Sequence, residues 1–376
     1  MKIQILQEKL KEGLGIVEKV SLKSVTLPIL NNVLLEIKKN FLKLSATDLE
    51  IGIRWWALAK TDKEGSLAVP SKLLSSFITL LPNKKIELSS KEDVLDVECE
   101  DCQTKIKGFS AEEFPLIPEV RKEEFVSVKA SFFCRGLAQI ADIPVLSSAR
   151  PEISGVFFSF QKDSLSTAAT DSFRLGEKKI PLSEKNNLAK PVSFILPQKT
   201  AKELINIFSD KEENLKIYFA PNQVMFELTM PETDHPQIQI VSRLIEGSYP
   251  NYKGIIPQKF STRLTLNKDE FLNKIKAAAL FSGKSNEIKI SADPAQKQAE
   301  VLSQAADLGD HKSALACGAE GEKLEVTFNY RFLQDGISKI RGDEAILELN
   351  GDSGPGVLKD TKDSTYTYVV MPIKSS

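Results

Sequence analysis

The chain reads as an α+β protein made of three similar tandem domains. Two observations predict this. A short alternating strand feeding an amphipathic helix opens three segments of the 376 residues, and the markers that accompany it return in the same order. Their spacing of about 120–140 residues is the size of one domain.

The first opening is Lys2-Ile3-Gln4-Ile5, followed by Leu10, Leu14 and Val17 at i, i+4 and i+7. The second is Val126-Ser127-Val128 with Phe133, Leu137 and Ile140, and the third is Arg263-Leu264-Thr265-Leu266 with Leu272, Ile275 and Ala279. Period two giving way to period 3.6 marks a strand that runs into a helix with one apolar face. Asn267, with Glu270 three residues on, predicts the N-cap of the third helix.

A second unit also recurs. Ser66-Leu67-Ala68-Val69-Pro70 precedes a helical pattern at Leu74, Phe77 and Leu81, and Phe194-Ile195-Leu196-Pro197 precedes one at Ala201, Leu204 and Phe208. Val326-Thr327-Phe328-Asn329 precedes Leu333, Ile337 and Ile340. Proline suits the first positions of a helix, where its fixed φ fits and its missing N–H costs nothing. Between these units, Leu44-Ser45-Ala46-Thr47-Asp48 echoes Ser166-Thr167-Ala168-Ala169-Thr170-Asp171, and Phe114-Pro115-Leu116-Ile117-Pro118 echoes Tyr249-Pro250-Asn251-Tyr252. The third copy lacks the Ala-Thr-Asp strand and carries a polar stretch near 292–322 instead. Each third thus holds two helices and several strands, most in meander order. Domains of residues 1–124, 125–256 and 257–376 follow, with joints in the charged, proline-bearing stretches near Val120–Glu124 and Ile256–Ser261. Three like domains suggest a curved array, which closes into a ring if copies join head to tail.

Composition narrows the function. Lys plus Arg is 50 and Asp plus Glu 51, a net charge of −1, so the whole chain carries no electrostatic signature of nucleic-acid binding. Binding depends on where the cations sit rather than on their sum. Charged and amide side chains arrive by residue 8, which predicts no signal-peptide core, and no apolar run approaches the ~18–20 residues of a membrane span. A cytoplasmic protein is expected. Four cysteines are too few for a disulfide framework, and two histidines leave little room for imidazole catalysis or metal binding.

Three strings imitate chemistry. Gly351-Asp352-Ser353-Gly354-Pro355-Gly356 resembles the surroundings of a serine nucleophile, but such a site needs an imidazole to take the serine proton, and neither His235 nor His311 lies in a recognisable motif. A glycine-rich turn is the expected reading. Ser282-Gly283-Lys284-Ser285 has the tail of a phosphate loop but Ala278 where the loop needs glycine. Cys99-Glu100-Asp101-Cys102 follows an alternating strand, which predicts a hairpin tip rather than half a zinc site. Asp48 and Asp171 repeat after threonine in matching places, as structural Asx turns do. No catalytic residue, metal or cofactor is expected. Lysines and arginines on or beside the repeated helices (Lys9, Lys11, Lys19, Lys23, Arg135, Lys268, Lys274, Lys276) read singly as solvated faces, and together as the lining of a hole if those helices face inward. Phosphate contact of that kind carries no sequence information.

These residues resemble one family, the bacterial DNA polymerase III beta subunit, or beta sliding clamp. The matching strings span the chain in order: Thr26-Leu27-Pro28-Ile29-Leu30-Asn31-Asn32-Val33, Ser45-Ala46-Thr47-Asp48-Leu49-Glu50, Phe114-Pro115 and Arg150-Pro151-Glu152-Ile153-Ser154-Gly155. They continue with Ala169-Thr170-Asp171, Arg174-Leu175, Ile245-Glu246-Gly247-Ser248-Tyr249-Pro250-Asn251-Tyr252 and Tyr368-Val369-Val370-Met371-Pro372-Ile373.

The resemblance implies a head-to-tail homodimer, a six-domain ring that encircles duplex DNA without sequence preference. It implies a processivity factor, not an enzyme, that tethers the polymerase III catalytic subunit, is placed on DNA by a clamp loader complex, and serves other polymerases and repair proteins carrying short hydrophobic motifs. A peptide-binding pocket would be lined by Ile153, Thr170, Phe173, Arg174 and Leu175, by Pro250 and Ile255, and by Val369, Val370, Met371, Pro372 and Ile373. Apolar side chains and prolines suit such a groove, and methionine adapts to several partners. DNA-contacting positions would be Lys23, Lys72, Arg150, Lys199 and Lys253, and the dimer joint would bring Ile106 of one chain to Leu280 and Phe281 of the other. Two departures stand out: Ser172-Phe173 where the family often has Gly-His, and Thr104 where it has an aromatic beside Ile106. The alternative reading is a repeat-built protein-binding scaffold that does not encircle DNA.

Overall fold

The computed structural model describes residues 1–21, 27–182, 188, 190–231 and 233–374. The first third runs β1 (Lys2–Leu6), α1 (Gln7–Val17), β2 (Asn32–Lys38), β3 (Phe41–Thr47), β4 (Ile51–Leu58), β5 (Lys60–Lys63), β6 (Gly65–Pro70), α2 (Ser71–Leu80), β7 (Lys85–Lys91), β8 (Val94–Cys99) and β9 (Cys102–Lys107). Then come β10 (Phe125–Lys129), α3 (Ala130–Leu137), β11 (Gly155–Phe160), β12 (Ser164–Thr170), β13 (Arg174–Pro181), β14 (Val192–Pro197), α4 (Gln198–Phe208), β15 (Asn214–Ala220), β16 (Gln223–Thr229) and β17 (Pro236–Arg243). The last third adds β18 (Thr262–Asn267), α5 (Lys268–Ala279), β19 (Glu287–Asp293), β20 (Gln298–Ala305), β21 (Gly309–Ala316), β22 (Gly318–Gly321), β23 (Leu324–Asn329), α6 (Tyr330–Ser338), β24 (Glu344–Leu349), β25 (Gly356–Asp360) and β26 (Tyr366–Val370).

All six expected helices form, each directly after a strand. Their apolar positions carry the cores: Leu10, Leu14 and Val17 on α1, Leu74 and Ile78 on α2, and Phe271, Ile275 and Ala278 on α5 are buried. Gly13 lets α1 lie directly on the Trp55 ring, because a Cβ there would overlap it. Asn267 caps α5 by accepting the Glu270 amide, 3.0 Å. The prolines sit one residue earlier than the sequence suggested. Pro70 and Pro197 end their strands, and the helices begin at Ser71 and Gln198. A proline that closes a ladder loses no strand bond by lacking an N–H.

The strands assemble by a rule the sequence does not display. One sheet has the order β10-β15-β16-β17-β4-β3-β2-β6, and another has β14-β11-β12-β13-β26-β25-β24-β18-β22. Read backwards from β18, the second repeats the first strand for strand. In both, a late strand pairs antiparallel with an early one: β17 with β4, and β26 with β13. Each of these two sheets, of eight and nine strands, therefore joins strands from two neighbouring repeats. The remaining strands form a five-stranded sheet, β5-β1-β7-β8-β9, and a four-stranded one, β21-β20-β19-β23.

Two compact units result. One comprises Met1–Cys134, Leu182–Lys190 and Lys202–Leu244; the other comprises Arg135–Pro181, Pro191–Ala201 and Ile245–Ser376. The polar stretch near 292–322 folds as strands: β20 and β21 make an eight-pair hairpin, and β22 lies against β18. Its inward positions Ala299, Val301 and Leu315 are buried, which is enough apolar surface to anchor an otherwise polar hairpin. Cys99 and Cys102 face each other across the β8–β9 turn as free thiols, and residues 351–354 form the turn between β24 and β25. No helix among the described residues is long and apolar enough to cross a membrane.

Candidate peptide-binding site

The residues expected to form a pocket are organised by one turn. Thr170 ends β12, and its hydroxyl donates to the Arg174 carbonyl, 2.7 Å, while accepting the Ser172 amide, 3.1 Å. Asp171 accepts the amides of Phe173 and Arg174 on one oxygen, 3.0 and 2.9 Å. Ser172 is held at φ +77°, a left-handed conformation costly for a residue with a Cβ, and these four bonds offset it. The turn aims Phe173 outward, 62% exposed, and sends Arg174 back beneath it.

Arg174 is the centre of a charged and aromatic cluster. Its Nε donates to Asp171 at 2.9 Å, its Nη1 to Asp335, and its guanidinium lies 4.7 Å from the centre of the Phe332 ring. Phe173 stacks on the same ring. Burial works against the Arg174 charge, but Tyr368, Asp335 and Asp171 outweigh it and hold the guanidinium above its usual pKa. The Tyr368 hydroxyl, raised by burial despite Arg174, donates to the Phe332 carbonyl, 2.8 Å.

The floor is the β13–β26 ladder. Arg174 pairs with Val370 and Leu175 with Val369, and Leu175, Val369 and Val370 are buried. The ladder is extended by the Met371 amide, which donates to the Phe173 carbonyl, 2.8 Å. Beyond Pro372 the Ile373 amide donates to the Thr327 carbonyl of β23, 2.8 Å. The side wall is the segment from Tyr249 to Ile256. Tyr252 packs with Leu175, Val369, Ala168 and Val357, and its hydroxyl donates to buried Glu177, 2.8 Å. Tyr249 stacks on Phe157 at 4.9 Å. Ile255 and Met371 stay exposed at 48% and 39%, so with Phe173 they offer adaptable apolar surface over a fixed base. Ile153 is buried in the single turn Pro151–Ile153.

The other expected residues are placed as follows. Arg150 is tied to Glu152 and to the Ser172 hydroxyl, both 3.2 Å, so it braces the pocket turn. Lys72 on α2 and Lys253 in the turn Tyr252–Ile255 are exposed. Lys199 is half-buried on α4, and Lys23 lies outside the described residues. Of the expected joint residues, Leu280 is 73% exposed and Phe281 stacks on His311 at 5.6 Å. Ile106 points into its own sheet, 3% exposed, opposite Leu95.

Sequence reasoning missed the brace of the wall. Glu177 is a carboxylate on an inward strand position of the nine-stranded sheet, and its counterpart in the eight-stranded sheet is Arg54, likewise buried. Arg54 donates to the carbonyls of Ile117 and Pro118 and to Gln239. Opposite charges thus fasten the two linking segments at equivalent positions, each six residues after the repeated aspartate. A charged residue at an inward position of an apolar strand was the available signal.

The frame of one sheet recurs in the other, which defines the class: a repeat-built α+β protein. Among the described residues no cluster of metal-ligating side chains occurs. Residues 1–118, 128–251 and 253–374 match in series the N-terminal, central and C-terminal domains of the DNA polymerase III beta subunit. The chain belongs to that family. It is 29% identical over 362 residues to the beta sliding clamps of Staphylococcus epidermidis and Staphylococcus aureus, covering 93% of each chain. Over the full length of both chains it is similar to the DNA polymerase sliding clamp of Bacillus subtilis (TM-score 0.93, 24% identity). It is likewise similar to a Pseudomonas aeruginosa sliding clamp solved bound to griselimycin (TM-score 0.92, 20% identity).

Proposed function

We propose how this member of the family works. The chain is a processivity factor, a sliding clamp of DNA replication. The observation that carries this is the serial match of all three beta-subunit domains along one chain. Three domains, 1–124, 125–256 and 257–376, would join head to tail with a second copy into a ring around duplex DNA. Among the described residues the five- and four-stranded sheets end in the edges β9 and β21, two different surfaces of the kind a head-to-tail joint needs. Leu280 and Phe281 would supply its apolar contact, with Ile106 acting from beneath. A topological link needs no affinity, which suits a net charge of −1. Lys72, Lys199, Lys253 and Lys23 would make weak phosphate contacts that permit sliding; Arg150 would serve the pocket turn as well.

The pocket at Phe173, Arg174, Ile255 and Val369–Ile373 would hold short hydrophobic motifs of the polymerase catalytic subunit, the clamp loader and repair proteins. The protein would do no chemistry itself; a sequence with two histidines supports that. The test is retention on DNA. Protein loaded onto nicked circles by its loader complex should stay after free protein is removed and leave when the circle is cut. Persistence on linear DNA would mean binding by affinity. Failure to remain on circles, with a known clamp loading normally, would overturn the ring.

A further inference from the structure

We propose a second peptide-binding site in the other compact unit, built on the turn Thr47–Ile51 and taking a short extended segment that carries a leucine-like anchor followed by an acidic residue. The frame is the same, bond for bond. Thr47 Oγ1 donates to the Ile51 carbonyl, 2.9 Å, and accepts the Leu49 amide, 3.0 Å. Asp48 accepts the amides of Glu50 and Ile51, 2.9 and 2.7 Å, and Leu49 is held at φ +76°, within a degree of Ser172. The Arg243 amide donates to the Glu50 carbonyl, 2.9 Å, as the Met371 amide does to Phe173. Val241 pairs with Gly52 as Val369 pairs with Leu175.

The lining differs in a way that specifies the occupant. Gly52 stands where Leu175 fills the other floor, and Ile117 packs down onto it. The cavity that remains, bounded by Leu49, Glu50, Leu116, Ile117, Val241 and Arg243, is about 200 Å³, and Arg243 is the one cation among these. That is below the ~300–1,000 Å³ of small-molecule sites, and it suits one anchoring side chain. Leu116 is 96% exposed and Leu49 46%, so two aliphatic side chains stand in water beside it. Buried Arg54 holds the carbonyls of Ile117 and Pro118, so the wall is fixed before anything binds. At the rim, where the other site has Met371, stands the Arg243 guanidinium. It is exposed and has no side-chain partner among the described residues, so it matches an acidic residue next to the anchor. The inference takes its frame from the likeness to the turn at Thr170–Arg174, and the occupant from the lining at Leu49, Leu116 and Arg243.

The probes are two fluorescein-labelled decapeptides, Gly-Ser-Gly-Leu-Leu-Asp-Asp-Gly-Ser-Gly and the same with lysine for both aspartates, titrated into the full chain with methyl NMR. The acidic peptide should shift Leu49, Leu116, Ile117 and Val241, and should do so equally in Met371→Asp, which blocks the other pocket. Leu116→Asp or Leu116→Ser, at a position too exposed to threaten folding, should weaken it by about tenfold or more, and Arg243→Glu should transfer the preference to the lysine peptide. Shifts that survive Leu116→Asp, shifts that vanish in Met371→Asp, or none at about 1 mM peptide would overturn the proposal.

Discussion

Replacing Arg174 by alanine should loosen the base of the Thr170–Arg174 turn by about 3 kcal/mol, with buried Asp171 the larger of its two carboxylate partners. The Arg174 and Asp171 side chains are 10% and 9% exposed, and removing one member of a buried pair costs about 3–5 kcal/mol because the other is left charged. Asp171 keeps the amides of Phe173 and Arg174, which places the cost at the low end. Asp335, 57% exposed, is screened by water and contributes below about 1 kcal/mol, even though it sits as close. Native-state hydrogen exchange resolves this. In Arg174→Ala, amides of the β13–β26 ladder should exchange about two orders of magnitude faster, while those of β3–β4 keep their rates. Asp335→Asn should change both by less than about fivefold. Equal effects of Arg174→Ala and Asp335→Asn would refute the assignment of the buried pair.

Three further outcomes rest on other contacts of the fold. Tyr252→Phe leaves the Glu177 carboxylate without its 2.8 Å donor and should cost about 1–3 kcal/mol in denaturant unfolding, with weaker binding of hydrophobic peptides; an unchanged midpoint would mean water replaces the hydroxyl. Burial alone would raise Asp363, but the Lys178 ammonium and the Thr365 hydroxyl and amide hold it below its usual value. Its contribution to stability is therefore complete above the ordinary aspartate pKa of about 3.9 and lost as pH falls through the folded value. The stability difference between the natural chain and Asp363→Asn should accordingly shrink only below about pH 4, and a constant difference would exclude the linkage. Burial pushes the Cys134 thiol up to about 12, so Ellman's reagent near pH 8 should leave it unmodified until the protein unfolds, and prompt labelling in the native state would contradict its packing.

The sequence was legible where spacing is local. Leu10, Leu14 and Val17 announce α1 because a helix repeats within a few residues, and Asn267 announces its helix because a cap bond spans three. The Thr-Asp turns were legible as turns because Asx bonds close within the motif. The pairing of Ile53 with Ile240 and of Leu175 with Val369 was not, since nothing in a strand names a partner nearly 200 residues away. The 292–322 segment was too polar to announce strands, and its few inward side chains emerge only once β19 lies beside it. The resemblance named Phe173, Arg174 and Val369–Ile373 together, and the β13–β26 pairing sets Arg174 opposite Val370. The bond from Arg150 to Ser172 was not legible, because it depends on how two turns meet.

The seam between β17 and β4 bears on where the chain can be cut. Its repeats suggest severing near residue 120, in a charged linker. A fragment ending there would carry Ile51–Leu58 with β17 gone, exposing a ribbon of isoleucine, tryptophan and leucine as an open template for other chains. The covalent joint and the structural joint are displaced from one another, so a fragment meant to stay monodisperse has to include residues 125–129 and 214–243, which complete the ladder, rather than stop where the composition changes.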